Sequence, residues 1–334
     1  MKPVYELKID AYAHIVPPKY QKALYKVAPQ MHDAQILPYP TLYDMNERFR
    51  VMDKYEPLRQ VLTLGRIPVE HVAGPQKAAE LARLANDEMA ELIVKYPDRF
   101  VAGLATLAMN NMDEALKETD RCIQDLGFRG VYLHSPVDEK PLDLPEFLPL
   151  YGKMAEYDLP IVIHPMRKID HPDYLTEKSS KYLMFSMFGW PYDTTSAMAR
   201  LVFSGIMEKY PGLKIVTHHM GGMIPFYAER IRQFTQIRRP KGEEIPLKKD
   251  AVDYFKMFYA DTAIYGNTPA LMCGYAFFGP DHIIFGIDFP LGDTEKGDRN
   301  YRQTINAIEE MAISDQDKKK IYEDNARKLM RLPI

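Results

Sequence analysis

Three apolar segments of this chain each end in side chains that can bind a metal ion or transfer a proton. The segments are Leu159–Pro165 with His164, Lys214–Gly222 with His218 and His219, and Ile283–Pro290 with Asp288. A buried strand that runs into a polar residue and a turn is typical of the active-site face of α/β barrels. This repeated design constrains the fold more than any other feature of the sequence.

Strand-like and helix-like patterns alternate along nearly the whole chain. Roughly eight such steps predict a parallel sheet that closes into a (β/α)8 TIM barrel. A chain of 334 residues can be one barrel, so we expect a single domain over residues 1–334. Two aperiodic stretches, Ala28–Tyr43 and Arg167–Tyr192, are interpreted as excursion loops over the C-terminal face of the barrel.

Composition excludes several classes of partner and location. The net charge of −3, with both signs scattered along the chain, favours neither nucleic acid nor an anionic membrane. No apolar run approaches the roughly 20 residues that span a bilayer, and the N-terminus lacks a signal-peptide pattern. With only Cys122 and Cys273 as cysteines, we expect a reducing, cytoplasmic location without disulfides.

His14, His164 and Asp288 each lie at the C-terminal end of a predicted strand, and His14 ends the first one. Barrel strands bring their C-terminal ends to one face, so these side chains could meet at one divalent ion. Imidazole and carboxylate ligands suit zinc, manganese or cobalt. The residues alone leave a second interpretation open, in which each histidine forms hydrogen bonds that terminate its strand.

The pair His218–His219 should place only one ring inside the barrel, because neighbouring residues on a strand face opposite sides. The Met-Gly-Gly sequence directly after His219 favours that residue as the pocket group, with acid/base chemistry or metal support as its role. His218 is then expected to pack behind it. His134 also ends a strand and could line the pocket, and Asp261, after the seventh strand, is a possible accessory group.

Arg48 and Arg50 lie two apart on a predicted helix, so at most one of them should face the pocket. A guanidinium there would hold a substrate carboxylate in a bidentate grip. The alternative is a surface ion pair with Glu47 or Asp44.

The whole chain resembles the amidohydrolase superfamily, in the branch of aminocarboxymuconate-semialdehyde decarboxylase and the hydroxybenzoate decarboxylases. The matching motifs are the early strand with His14, Glu47–Asp53, Ile163–Pro165, Ala199–Pro211, His219–Gly222 and Phe285–Pro290. The resemblance implies a (β/α)8 barrel that binds one divalent metal, cleaves a carbon–carbon bond non-oxidatively and releases carbon dioxide. From the ligand types, zinc is the first expectation for this metal, with manganese or cobalt as alternatives.

By the same resemblance, His14, His164 and Asp288 match metal ligands, and His219 matches the catalytic histidine. Arg48 matches an arginine that grips a substrate carboxylate. A homodimer or higher homo-oligomer is implied, with Arg230 and Arg238 at positions where relatives supply arginines across the interface.

Tyr12 departs from the family pattern, which begins with His-x-His or Glu-x-His where this chain has Tyr12-Ala-His14. A phenol has an unperturbed pKa near 10 and ligates only if the metal depresses that value strongly. The departure leaves open whether metal is bound weakly or at all, and assigns Tyr12 a hydrogen bond to the substrate instead.

The sequence therefore predicts a metal-assisted decarboxylase of a small aromatic or conjugated carboxylic acid, with His219 transferring a proton. Asp288 would be a ligand and an acid/base group. A hydrolase or hydratase on the same barrel, possibly without metal, is the second hypothesis. A binding protein whose metal site has decayed is the third.

Overall fold

The computed structural model describes residues 7–30, 36–65, 67–237, 245–292 and 297–334. Its strands are β1 Lys8–Ile15, β2 Leu58–Leu64, β3 Phe100–Gly103, β4 Ala105–Thr106, β5 Val131–Ser135, β6 Ile161–Pro165, β7 Ile215–Thr217, β8 Tyr259–Asp261 and β9 Ile283–Ile284. All neighbouring strands pair in parallel, in the orders β1-β2-β3 and β4 through β9.

Helices follow most of the strands, as the alternating pattern predicts. They are α1 Pro18–Val27, α2 Met45–Met52, α3 Val69–Val72, α4 Pro75–Lys95, α5 Met112–Gln124, α6 Leu148–Tyr157, α7 Trp190–Phe203, α8 Ile206–Lys209, α9 Ala228–Thr235, α10 Ala251–Phe255, α11 Thr268–Phe278, α12 Arg299–Glu309, α13 Asp315–Lys319 and α14 Asn325–Met330. Gly205 separates α7 from α8, because it takes a left-handed conformation with φ 81°.

Hydrogen bonds join the two sheets on both sides. Leu104, between β3 and β4, donates its N–H to the carbonyl of Leu62, and Ala105 donates to Gly130. On the other side, Ala11 and His14 of β1 donate to the carbonyls of Phe285 and Phe289. With β3 and β4 as one interrupted strand, these bonds connect eight strands into a ring, which confirms the predicted α/β barrel.

Buried side chains alternate between two environments along the strands. Val162 and Val216 belong to an inner cluster that includes Leu329 of α14, whereas Ile161 and Ile215 pack in the large cluster with the helices. The inner face therefore carries Val162 and then His164, two residues further along β6.

A β-bulge changes this alternation in β1. The register runs from Asp10 opposite Gln60 to Ala13 opposite Leu62, so three steps of β1 match two steps of β2. As a result, Asp10 shares the outer side with Gln60, while His14, opposite Thr63, faces the interior. The sequence interpretation assumed uninterrupted alternation and did not include this bulge.

Part of the second predicted excursion is helical, because α7 begins at Trp190 and a π-helical turn covers Phe185–Gly189. The Trp190 ring lies 5.9 Å from the His164 ring, which places this segment at the end of β6. Of the first excursion, residues 31–35 lie outside the described residues. Among the described residues, no helix combines the length and apolar character needed to cross a membrane.

Candidate active site

Three side chains predicted to bind metal meet at the C-terminal end of the barrel. One ligand atom each of His14, His164 and Asp288 lies within 4.8 Å of the other two, and all three residues are buried. Asp288 Oδ1 is 2.9 Å from His14 Nε2 and 3.8 Å from His164 Nε2. Residues separated by up to 274 positions in the sequence thus converge on one point.

The second ring nitrogen of each histidine already has a partner. His14 Nδ1 lies 2.8 Å from the Thr63 hydroxyl, and His164 Nδ1 lies 2.5 Å from the carbonyl oxygen of Pro165. A carbonyl can only accept, so His164 carries its proton on Nδ1 and presents the Nε2 lone pair to Asp288. Metal-bound histidines are oriented in the same way, by an acceptor on the outer nitrogen. These residues therefore fit a divalent cation.

Asp288 lies beyond the short strand to which the sequence analysis assigned it. β9 ends at Ile284, and Asp288 follows in a left-handed conformation with φ 61°. Gly286 permits the close approach of this segment to β1, since a Cβ there would lie 2.9 Å from the Cβ of Tyr12. Burial alone would raise the pKa of Asp288, but the neighbouring rings of His14 and His164 hold it well below its usual range, so the carboxylate is ionised.

His218 faces the barrel interior, two residues after Val216. Its Nδ1 forms a short hydrogen bond with Asp261 Oδ2, and its Nε2 lies 3.8 Å from Asp288 Oδ1. His218 and Asp261 are both fully buried. Burial raises the pKa of Asp261 to about 7 and lowers that of His218 well below its usual value.

His219 also reaches this region, which corrects the expectation that only one of the two histidines could do so. β7 ends at Thr217, and His219 has φ 52°, so the alternation rule of a strand no longer applies to it. Its ring centroid lies 3.8 Å from that of His218, and its buried Nδ1 has no hydrogen-bond partner among the described residues. Unlike His14, His164 and His218, His219 is partly exposed. Burial lowers its pKa, which favours the neutral imidazole.

The Tyr12 ring lies flat against the His218 ring, with centroids 4.6 Å apart and planes 10° apart. The Tyr132 ring meets it edge-on at 6.1 Å. The Tyr12 hydroxyl is buried without a partner at hydrogen-bond distance among the described residues. Burial raises the pKa of Tyr12 far above its ordinary value, so this side chain is a neutral phenol.

Arg48 is held by hydrogen bonds within the protein. Its Nε donates to Gln60 Oε1 at 2.8 Å, and its Nη1 donates to the carbonyls of His14 at 2.7 Å and Thr41 at 3.2 Å. The side chain is fully buried. The Nε and Nη1 atoms are therefore already bonded within the protein, whereas Nη2 has no partner among the described residues. Full burial contradicts the alternative of a surface ion pair, and the binding of a substrate carboxylate by Arg48 stays a prediction.

Several residues at the site were missed or only mentioned by the sequence analysis. The alternation of His218 with Val216 predicts that His218 faces the interior, whereas the glycine turn after His219 favours His219 as the pocket residue. Tyr132, whose hydroxyl lies 3.3 Å from His134 Nε2, carried no signal. His134, considered as a pocket residue, pairs with His164 across β5 and β6, with ring centroids 5.5 Å apart.

Four buried polar atoms around Asp288 lack hydrogen-bond partners in the described part of the chain. They are Tyr12 Oη, His218 Nε2, His219 Nδ1 and Asp288 Oδ2. Buried polar atoms are normally paired, so a cluster of unpaired ones marks a place prepared for a ligand. Fold and site together define an α/β barrel with a buried histidine–carboxylate cluster at the C-terminal end of its strands, the face on which barrel enzymes carry their active sites.

Comparison with known proteins identifies the family to which the chain belongs. The family model described as Amidohydrolase matches residues 9–332, and the chain belongs to that family. A gamma-resorcylate decarboxylase of Rhizobium sp. is 30% identical over 293 residues, 85% of this chain and 86% of the relative. A 2-amino-3-carboxymuconate-6-semialdehyde decarboxylase of Dictyostelium discoideum is 26% identical over 98% of this chain and 92% of its own length.

Solved structures agree with these relatives. A dihydroxybenzoic acid decarboxylase from Polaromonas sp., with bound manganese and the inhibitor 2-nitroresorcinol, superimposes with a TM-score of 0.82. It is 28% identical and covers 98% of this chain and 97% of its own. The predicted membership of the decarboxylase branch is thereby confirmed, and the protein is a carboxy-lyase of the amidohydrolase superfamily.

Proposed function

We propose that this protein is a metal-assisted, non-oxidative decarboxylase of a small hydroxylated aromatic acid. The observation that carries the proposal is the convergence of His14, His164 and Asp288 within 4.8 Å at the C-terminal end of the barrel. Relatives that act on gamma-resorcylate and 6-methylsalicylate support the substrate class. The hydrolase or hydratase alternative finds no comparable support.

His14 Nε2, His164 Nε2 and Asp288 would hold one divalent ion. When bound, such an ion supplies a Lewis acid for the oxygens of a carboxylate and its neighbouring hydroxyl group. Thr63 and the Pro165 carbonyl keep the two imidazoles turned toward Asp288. Ionised Asp288 supplies the negative charge that favours a cation at this buried place.

His219 would transfer the proton that the reaction requires. Loss of carbon dioxide breaks a carbon–carbon bond and leaves an electron pair on the ring carbon, and one proton must then fill the vacated position. His219 is partly exposed, and its Nδ1 is unpaired within the described structure, so it can contact a bound substrate and move a proton. Asp288 is a second acid/base group in this proposal.

Tyr12 would donate a hydrogen bond to the substrate. Its hydroxyl is buried and lacks a partner in the described structure, and burial keeps it protonated, so it is a donor in need of an acceptor. A phenolic or carboxylate oxygen of the substrate would meet that need.

The metal is proposed to be manganese or zinc. Two imidazoles and a carboxylate accept either ion, and the Polaromonas neighbour holds manganese. Zinc, the first expectation from the sequence, rests on ligand chemistry alone.

The test is to incubate the purified protein, loaded in turn with Mn²⁺ and Zn²⁺, with 2,6-dihydroxybenzoate and 6-methylsalicylate in deuterated water. We expect carbon dioxide and a ring product with one deuterium at the vacated carbon. His219→Asn should abolish turnover, and His171→Asn, a change at an exposed histidine, should not. Oxygen incorporation from labelled water without carbon dioxide would show a hydrolase or hydratase instead.

We also propose a homodimer. The segment Phe226–Ile237 exposes Phe226, Phe234 and Ile237, each by more than half, and exposed apolar patches of this kind favour contact with another protein. Arg230 stacks over Phe234 within this segment, whereas Arg238 lies outside the described residues. Sedimentation at micromolar concentration should give a dimer, and a monomer would contradict the proposal.

The cytoplasmic location stays a prediction from cysteine usage. Cys122 is buried and Cys273 is partly buried, and both are free thiols.

A further inference from the structure

The centre contains one more imidazole than the three-residue group that the sequence analysis assigned. Asp288 Oδ1 is surrounded by three Nε2 atoms, those of His14 at 2.9 Å and of His164 and His218 at 3.8 Å. Metal bonds to nitrogen and oxygen are about 2.0–2.2 Å long, so donors around one ion lie roughly 3–4 Å apart. All three distances fall in that range.

All three histidines have their Nδ1 occupied. The partners are the Thr63 hydroxyl, the Pro165 carbonyl and the Asp261 carboxylate. When Asp261 is ionised it accepts the Nδ1 proton of His218, and the Nε2 of this ring is then a lone pair that faces another acceptor, Asp288 Oδ1. Two facing acceptors repel each other unless a cation lies between them. His218 Nε2 has no hydrogen-bond partner within the described structure, which leaves it available to bind a cation.

Tyr12 occupies the position at which the family pattern places its first ligand. Its ring is stacked face to face on His218, so it packs against that imidazole. The His218 ring is also stacked on His164, with centroids 5.0 Å apart and planes 25° apart. His218 is thus held between Tyr12 and His164 and oriented by Asp261.

We propose that His218 is a third imidazole ligand of the metal, in place of the ligand that Tyr12 does not provide, and that Asp261 is its positioning residue. This inference rests on the proposed function, because it requires the metal. It adds His218 to the three proposed metal ligands, so that the set becomes His14, His164, His218 and Asp288. His218 lies outside the group with mutual distances below 4.8 Å, so the proposal requires its ring to move toward the other ligands when the ion binds.

X-ray absorption spectroscopy of the Zn²⁺-loaded wild-type protein tests the proposal directly, because the multiple-scattering signal counts imidazole ligands. We expect three imidazoles in the wild type and two in His218→Ala. His219→Ala is the matched control, since it removes the adjacent ring, and it should retain three. Asp261→Asn should also retain three but bind the ion on the order of 10–100-fold more weakly, as expected for an outer-sphere partner.

The outcomes separate the two proposals. Two imidazoles in an active wild-type enzyme would overturn the role of His218 and leave the decarboxylase proposal intact. A wild-type protein that binds no metal under any loading condition would overturn both. Three imidazoles without decarboxylation of any hydroxybenzoate would support the ligand set and overturn the function. The wild-type spectrum decides the ligand count even if His218→Ala fails to fold.

Discussion

Two buried polar clusters lie on opposite sides of β1, and they differ in how completely their hydrogen bonds are made. The ligand cluster, defined as Tyr12, His14, His164, His218 and Asp288, retains three unpaired polar atoms within the described structure. The Arg48 network, defined as Asp10, Arg48, Gln60 and Tyr301, uses nearly all of its donors and acceptors internally, with Arg48 Nη2 as the exception.

The difference shows how to separate a functional cluster from a structural one when both are equally buried. In the Arg48 network, Tyr301 donates to Asp10 Oδ2 at 2.5 Å and Gln60 donates to Tyr301 at 2.6 Å, so the chain itself satisfies the charges. In the ligand cluster, the Nε2 atoms of His164 and His218 lie 3.8 Å from Asp288 Oδ1, beyond hydrogen-bond distance. Unmet hydrogen-bonding capacity, and not burial or residue type, marks the place where a ligand belongs.

The largest expected effect is on the ligand cluster. Asp288→Asn removes the charge that attracts the cation, and we expect kcat/KM for decarboxylation to fall on the order of 1,000-fold or more, with loss of bound metal. Elemental analysis and a carbon dioxide assay measure both quantities. If the Asp288→Asn variant kept the metal content and turnover of the wild type, the ligand cluster would not be the functional one of the two clusters.

The second-largest effect is expected on the free energy of unfolding. Arg48→Gln should lower the free energy of unfolding by roughly 3 kcal/mol, because it leaves partners of a buried charge unsatisfied. Arg50→Gln is the matched control, since Arg50 is exposed and pairs with Glu47, and its effect should stay within about 0.5 kcal/mol. Denaturant unfolding of both variants gives the comparison. An Arg48→Gln protein of normal stability with a greatly raised KM would instead support a substrate-binding role for Arg48.

A third prediction uses the pH dependence of the Arg48 network. Burial raises the pKa of Asp10 from 3.8 to about 6, so the folded protein binds this proton more tightly than the unfolded chain. The stabilising contribution of the proton is complete below about pH 4 and is lost as the pH rises through about 6. The difference corresponds to about 3 kcal/mol at most.

Asp10→Asn isolates that contribution, because asparagine does not titrate. The stability of the wild type minus that of the variant should fall between about pH 4 and pH 6 and level off above. Unfolding curves of both proteins across this range provide the measurement. A difference that is constant with pH, or that rises, would contradict the assignment.

The smallest effect is expected for Tyr12→Phe. Removing a buried hydroxyl that lacks a partner should change stability by less than about 1 kcal/mol and leave the metal content unchanged. If the hydroxyl binds the substrate, kcat/KM falls roughly tenfold, as for the loss of one hydrogen bond. A loss of metal from this variant would show that Tyr12 is itself a ligand.

The sequence predicted the barrel and the convergence of His14, His164 and Asp288, because each depends on a local pattern: an apolar strand followed by a polar residue. It did not predict that Arg48 forms hydrogen bonds within the protein. A guanidinium on a helix has the same sequence appearance whether it faces a substrate or a backbone carbonyl, and only the packing of α2 against β1 and β2 decides between them.

His218 shows a second limit of sequence interpretation. Strand alternation is reliable as far as Thr217, but the chain then turns through left-handed residues at His219 and Met220, with φ 52° and 53°. Side-chain direction beyond that point depends on backbone angles that glycine neighbours permit but do not specify. The contact of His218 with Asp261, 43 residues further along the chain, carries no local signal.

The bulge in β1 has a consequence for the way this site can change during evolution. One extra residue between Asp10 and Ala13 shifts the phase of the strand, so that Asp10 belongs to the scaffold and His14 to the reaction centre. Straightening the bulge without removing a residue would turn His14 toward the helices, whereas deleting Ala11 or Tyr12 would restore regular pairing with His14 still opposite Thr63. The bulge therefore decides which side chains of β1 reach the reaction centre.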